Sequence, residues 1–190
     1  MAAPRKENIK EKILTSAEEL LSHAKMSNIS LADIAQHAGV SKGTLYYYYK
    51  NKNDLLFDIT DKYLNQQYQD FITWTEDESK DTSLHRLIKY VLQRDVETAK
   101  LRLHLFYDAA AGNEQLRERL LVRYANFAKI LSEKIAERTG EVSSEYLAWL
   151  LLLLSDGLFI HKTIKDPLVD VDTFITESEN YLCRLMSEKN

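Results

Sequence analysis

The chain has 190 residues and a formal net charge of -4, with 45% hydrophobic and 28% charged residues but only five glycines and two prolines. Turns draw on Gly and Pro, so their scarcity argues against a strand-rich fold and for long helices joined by few loops. The single cysteine, Cys183, excludes an intrachain disulfide and a cysteine zinc site, and it fits a reducing cytoplasm, the expected location. The polar stretch Met1 to Lys12 does not read as a secretion leader. The most apolar run, Leu147 to Ile160, is interrupted by Ser155, Asp156 and Gly157 and falls short of the roughly twenty residues of a bilayer crossing.

Apolar residues recur with helical spacing nearly throughout, and nine helices are expected in an all-α chain. Ile9, Ile13, Leu14, Ala17, Leu20 and Leu21 share one face of the first helix. Ser30 reads as the N-cap of a second, from Leu31 to His37 or Ala38, with Asp33 three residues on, where a carboxylate favours a helix start. Gly39 ends it by taking the left-handed conformation. Ser41 caps a third helix, Lys42 to Tyr48, and Asn51 caps a fourth, from Lys52 to about Trp74. After the polar loop 75–82, helices are expected over about 83–98, 101–111, 114–138, then from Ser143 or Ser144 to about Ile164, and over 171–187. Gly112-Asn113 and Gly140 punctuate this series, and Pro167 lies just past the eighth helix.

The charge is uneven. Residues 1–53 carry eight Lys/Arg against five Asp/Glu, and the remainder carries 17 against 24. A basic head on an acidic body suits a nucleic-acid module joined to something else. Within that head, Leu31 to Tyr49 has the spacing of a helix-turn-helix. Ala35 is small where the second helix crosses, Gly39 turns the chain, and Val40 and Leu45 fill the space between the helices, with Ile34 and Ala38 completing the apolar side. The third helix would then enter the major groove by its N-terminal end. Lys42 supplies a cation there, Gly43 admits close backbone approach, Thr44 offers a hydroxyl and a methyl, and Tyr46 and Tyr47 offer phenolic donors or ring faces. Four consecutive tyrosines cannot share one helix face. Tyr48 and Tyr49 are expected inward, Tyr46 and Tyr47 outward. The expected DNA contacts are Ser30, Ser41, Lys42, Gly43, Thr44, Tyr46, Tyr47 and Lys52, the last holding the backbone from the flank.

Ser30 to Leu55 resembles the DNA-binding signature of the tetracycline-repressor (TetR) family. The matching residues are Ile34-Ala35, the run Ala38 to Tyr46, Tyr48 to Lys50, Lys52 and Leu55. Beyond about residue 65 the match lies in helix number and length and in Asp156-Gly157-Leu158. Two positions depart from the pattern: Tyr49 replaces a usual phenylalanine, so its hydroxyl needs water or a partner, and Lys25 replaces a frequent glycine. The expected division is a DNA-binding domain over 1–51, with the motif at about 30–49, and a helical ligand-binding and dimerisation domain over 52–190.

Leu147 to Leu154 is apolar on every side of its helix, so it must be covered on every side, in part by a second copy. The resemblance implies that this helix and the last form the dimer interface, here through Leu151, Leu153, Leu154, Leu158, Phe174 and Tyr181. It also implies a small-molecule cavity among helices four to eight, with Tyr63, His104, Tyr107, Tyr124, Phe127 and Trp149 as candidate lining. The five histidines are scattered without metal spacing, and no phosphate loop or nucleophile elbow occurs, so neither cofactor, metal nor catalytic residue is expected. The expected function is that of a dimeric DNA-binding regulator, acting as a ligand-responsive repressor on a pseudo-palindromic operator. Its rivals are a regulator without a small-molecule ligand, controlled by a protein partner or its own abundance, and a helical enzyme.

Overall fold

The computed structural model describes residues 6–23, 28–93, 99–139 and 143–187. Its helices are α1 (Lys6–His23), α2 (Leu31–His37), α3 (Lys42–Tyr48), α4 (Lys52–Glu76), α5 (Leu84–Leu92), α6 (Ala99–Ala110), α7 (Glu114–Ala136), α8 (Ser144–Ile164) and α9 (Val171–Ser187). The all-α expectation holds among the described residues. α5 is shorter than its apolar pattern suggests: Gln93 caps it, and the rest of the expected helix, 94–98, lies outside the described residues, as do Lys25 and Gly140.

The chain divides into two compact units, residues 1–64 and 65–190. In the first, α1 packs on α2 and α2 on α3 around Ile13, Leu14, Ala17, Ile34, Ala35, Ala38 and Leu45, all buried. In the second, α8 is the central helix. It packs against α5, α6, α7 and α9, and its buried residues Leu147, Ala148, Leu151, Leu152 and Leu158 join a core with Leu87, Val91, Leu131 and Ile135. α8 is the one described helix long and apolar enough to cross a membrane by length and composition. Its apolar surface is accounted for in part by this packing within the unit.

Polar contacts fix the rim of the second core. Arg138 donates to the carbonyls of Thr75, Thr82 and Lys134, which ties the 77–83 turn to the end of α7. Within that turn Asp77 accepts from Ser79 and Lys80, which hold its carboxyl down to about 2. The buried Glu179 of α9 faces His85 of α5, with Oε1 and Nε2 2.9 Å apart.

Burial predicts a sharp contrast within one helix. Leu131 of α7 is fully buried, whereas Val122 is 60% exposed. Leu131→Ala should cost about 2–5 kcal/mol in a denaturant titration, and Val122→Ala should stay within about 0.5 kcal/mol of the parent.

Candidate functional site

The first unit presents a short helix, α3, held rigidly at both ends. At the entry to α2, Ser30 and Asp33 form a capping box: Asp33 N–H donates to Ser30 Oγ at 3.2 Å, and Ser30 N–H donates to Asp33 Oδ2 at 2.8 Å. These hydrogen bonds lower the Asp33 carboxyl below its ordinary value, and the nearby charges of Lys42 and Lys52 add to the effect. Gly39 then takes φ +60, and Val40 N–H reaches back to Ala35 O at 3.0 Å, closing the tight turn. Ser41 caps α3 by accepting from Thr44 N–H at 3.0 Å, and the two hydroxyls are 2.8 Å apart.

The tyrosine run divides as helical periodicity requires. Tyr49 is buried and Tyr48 half-buried, while Tyr46 and Tyr47 are 51% and 71% exposed. The Tyr49 hydroxyl, the departure from the family pattern, donates to Asp58 of α4 at 3.1 Å, and Lys10 of α1 holds the same carboxylate at 2.7 Å. α1 and α4 are further joined by Lys62, which lies 2.7 Å from Glu11 and 3.5 Å from Glu18. The platform behind α3 is therefore cross-braced by charge as well as by packing.

The eight expected DNA-facing residues fall into two groups. Ser30, Ser41, Thr44 and Lys52 have polar atoms engaged within the chain. Lys52 is half-buried and donates to the Ile29 carbonyl, and burial lowers its ammonium. Lys42, Gly43, Tyr46 and Tyr47 lie on the exposed side of α3. A Cβ added at Gly43 would come no closer than 3.8 Å to Ser41 Oγ, so the chain itself does not require glycine there.

The described members of the expected pocket set take different positions in the second unit. Tyr107 is 73% exposed and Trp149 lies at the surface of α8. The side chains of Tyr63 and His104 lie outside the described residues. Phe127 packs on Phe71 and Tyr68, with ring centroids 5.8 and 6.1 Å apart. A described cleft of about 370 Å³ lies elsewhere, at the end of α4 and along α5, lined by Trp74, Lys80, Asp81, Arg86, Lys89, Tyr90 and Gln93. Tyr124 instead belongs to a polar cluster that sequence reasoning did not find: its hydroxyl donates to Asp156 at 2.5 Å, and Arg102 donates to the other oxygen of the same carboxylate at 3.2 Å. Among the described residues, no group of three or more His, Cys, Asp or Glu is placed to hold a metal ion.

The expected interface residues also separate. Leu151 and Leu158 are buried in their own unit, because seven residues return a helix to the same face, here the one turned to the core. The exposed apolar residues of α8 follow a different register: Tyr146, Trp149, Leu153, Ile160 and Ile164. Gly157 belongs to this row, and an added Cβ there would meet nothing within 4 Å. α9 carries a similar row, Phe174, Tyr181 and Leu185. The steps are of three, four or seven residues, which keep each row on one face of its helix, as in helix-to-helix seams.

The fold and the geometry of α2, α3 and the turn between them define a helix-turn-helix protein with a helical second unit. Residues 13–59 match the profile of bacterial regulatory proteins of the tetR family. The chain is 30% identical to the nucleoid occlusion factor SlmA of Shewanella pealeana over 83% of its own length and 84% of that protein's. It is 35% identical to the HTH-type transcriptional regulator EthR of Mycobacterium tuberculosis over 72% of its length and 56% of EthR's. The chain thus spans little more than half the length of EthR. A TetR transcription regulator from Haloarcula marismortui superposes with a TM-score of 0.72 at 20% identity, covering 92% of this chain and 96% of that one. A transcriptional regulator from Saccharomonospora viridis, solved with choline, superposes with a TM-score of 0.65 at 18% identity, covering 93% and 96%. The chain belongs to the TetR family. EthR and both solved structures are described as transcriptional regulators.

Two outcomes test the local geometry. Gly39→Ala forces an L-residue into the left-handed region, where it should cost about 1–2 kcal/mol, read as a lowered denaturation midpoint. Asp33 is lowered on folding, so its contribution is present above the ordinary carboxyl value of 3.8 and is lost as pH falls through the lowered folded value. Asp33→Asn should flatten that part of the acid limb in a pH series of melts.

Proposed function

We propose that this protein is a sequence-specific DNA-binding transcriptional regulator that acts as a homodimer on a pseudo-palindromic operator and answers to a small molecule. The observation that carries the reading is the outer surface of α3. Lys42, Gly43, Tyr46 and Tyr47 face outward from a helix whose entry and support are fixed by the hydrogen bonds described above. Lys42 serves phosphate, with Tyr47 beside it, while Gly43, Thr44 and Tyr46 lie at the base edges. Thr44 reads through its methyl and whatever hydroxyl capacity its pairing with Ser41 leaves. Lys52, engaged with Ile29, sets the position of the motif more than it neutralises phosphate.

The dimer is formed by the exposed rows of α8 and α9. A row with aromatic and aliphatic residues at helix-seam spacing on both helices suits a copy of itself, and Gly157 leaves a notch for close approach. Control by a small molecule follows population shift: a ligand favours a conformation whose two recognition helices no longer match the operator spacing. A related fold with choline bound supports this mode. The competing mode is control by partner or abundance alone, and a relative named for nucleoid occlusion keeps it in view.

DNA binding is tested by fluorescence anisotropy across a salt series, on a duplex selected from a random library and on a scrambled one. Lys42→Ala in both subunits should lower the salt slope by about two. Lys52→Ala should lower it by less. Thr44→Ala should cost about 1–3 kcal/mol of discrimination between the two duplexes. Gly43→Ala should fold at least as stably as the parent yet bind DNA more weakly. An unchanged salt slope in Lys42→Ala would reject the docking.

The interface is tested by sedimentation at micromolar concentration. The parent should run at twice 22.1 kDa, and Leu153→Glu with Tyr181→Glu should run as a folded monomer. A parent that sediments as a monomer would reject the assignment.

A further inference from the structure

The cluster that sequence reasoning missed has an unusual construction. Its members come from three helices: Arg102 and Phe106 from α6, Tyr124 from α7, Asp156 and Phe159 from α8. The Arg102 side chain is only 12% exposed. Its Cζ lies 4.4 Å from the centroid of the buried Phe159 ring and 5.9 Å from that of Phe106. Phe106 in turn lies 6.2 Å from the Tyr124 ring. A carboxylate, a phenol oxygen and aromatic faces thus surround one guanidinium. This is the environment that recognises a flat organic cation.

We propose that Asp156, Tyr124, Phe159 and Phe106 form an organic-cation site that Arg102 fills as an internal occupant, and that an amidine- or guanidine-like effector binds by taking its place. The inference rests on the ligand-responsive reading above and names the chemistry of its ligand.

Two features favour a cation over an anion. An anion brought to Arg102 would meet the Asp156 carboxylate and the negative ring faces, whereas a cation meets partners already arranged for it. Burial, followed by the charge of Asp156, raises the Tyr124 hydroxyl, so it keeps its proton and its bond to Asp156, and the carboxylate stays in place as an acceptor. Exchange also has a mechanical result. Arg102 links α6 to α8, whereas an effector cation would satisfy Asp156 without that link and leave α6 freer to shift.

The experiment uses the full chain and two isosteric probes of opposite charge, benzamidine and benzoate, followed by titration calorimetry. Benzamidine should bind saturably and benzoate should not. Arg102→Gln removes the internal occupant and should tighten benzamidine by about tenfold, as for a site open about one tenth of the time. Asp156→Asn should abolish binding. If Arg102→Gln melts too low to titrate, Arg102→Lys makes the same comparison, because an ammonium cannot lie flat on Phe159 and is a poorer occupant. Preferential binding of benzoate, benzamidine affinity that fails to rise when Arg102 is replaced, or indifference to Asp156→Asn would each overturn the proposal. Operator binding is followed in parallel. Saturable benzamidine binding that leaves DNA affinity unchanged would overturn the ligand-responsive reading while leaving the cation site standing.

Discussion

The second unit depends on one constraint, the covering of α8. A helix with apolar residues around most of its circumference has no face that water solvates well, so it becomes stable only when other surfaces enclose it. α5, α6, α7 and α9 enclose it in part, through Leu147, Ala148, Leu151, Leu152 and Leu158. The uncovered remainder is the row from Tyr146 to Ile164. Its existence within one chain is the physical reason to look for a second copy, and the matching row on α9 is the reason to expect the copy to meet both helices.

The same helix carries Asp156, a charge beside its apolar residues. A carboxylate next to a core is costly unless it is paired and hydrogen-bonded. Arg102 and Tyr124 provide that pairing, and in doing so they draw α6 and α7 onto α8 at one point. An ionic link of this kind adds little net stability compared with an apolar replacement.

The first unit works on a different principle. Its short helices bury few residues each, so local hydrogen bonds carry much of the definition: the capping box of Ser30 and Asp33, the Ser41 cap, and the turn at Gly39. Polar side chains spent on this geometry have less capacity for DNA. What remains outward on α3 is a compact set, and its orientation is set by the ties among Lys10, Asp58 and Tyr49 and by Lys62 with its two glutamates.

The sequence by itself determined whatever depends on neighbours in the chain. Helix positions, the caps at Ser30, Ser41 and Asn51, the left-handed Gly39 and the inward and outward tyrosines all follow from spacings of a few residues. Tertiary structure decided what depends on residues far apart. Helical periodicity showed that α8 is apolar all round, and therefore could not say which side its own unit covers; Leu151 and Leu158 went inward and Trp149 to the surface. Nor could it say that Lys52 would be drawn to Ile29 or that Arg102 would find Asp156, 54 residues away. Local patterns fix a residue's face on its helix, but only the packing of helices fixes what that face meets.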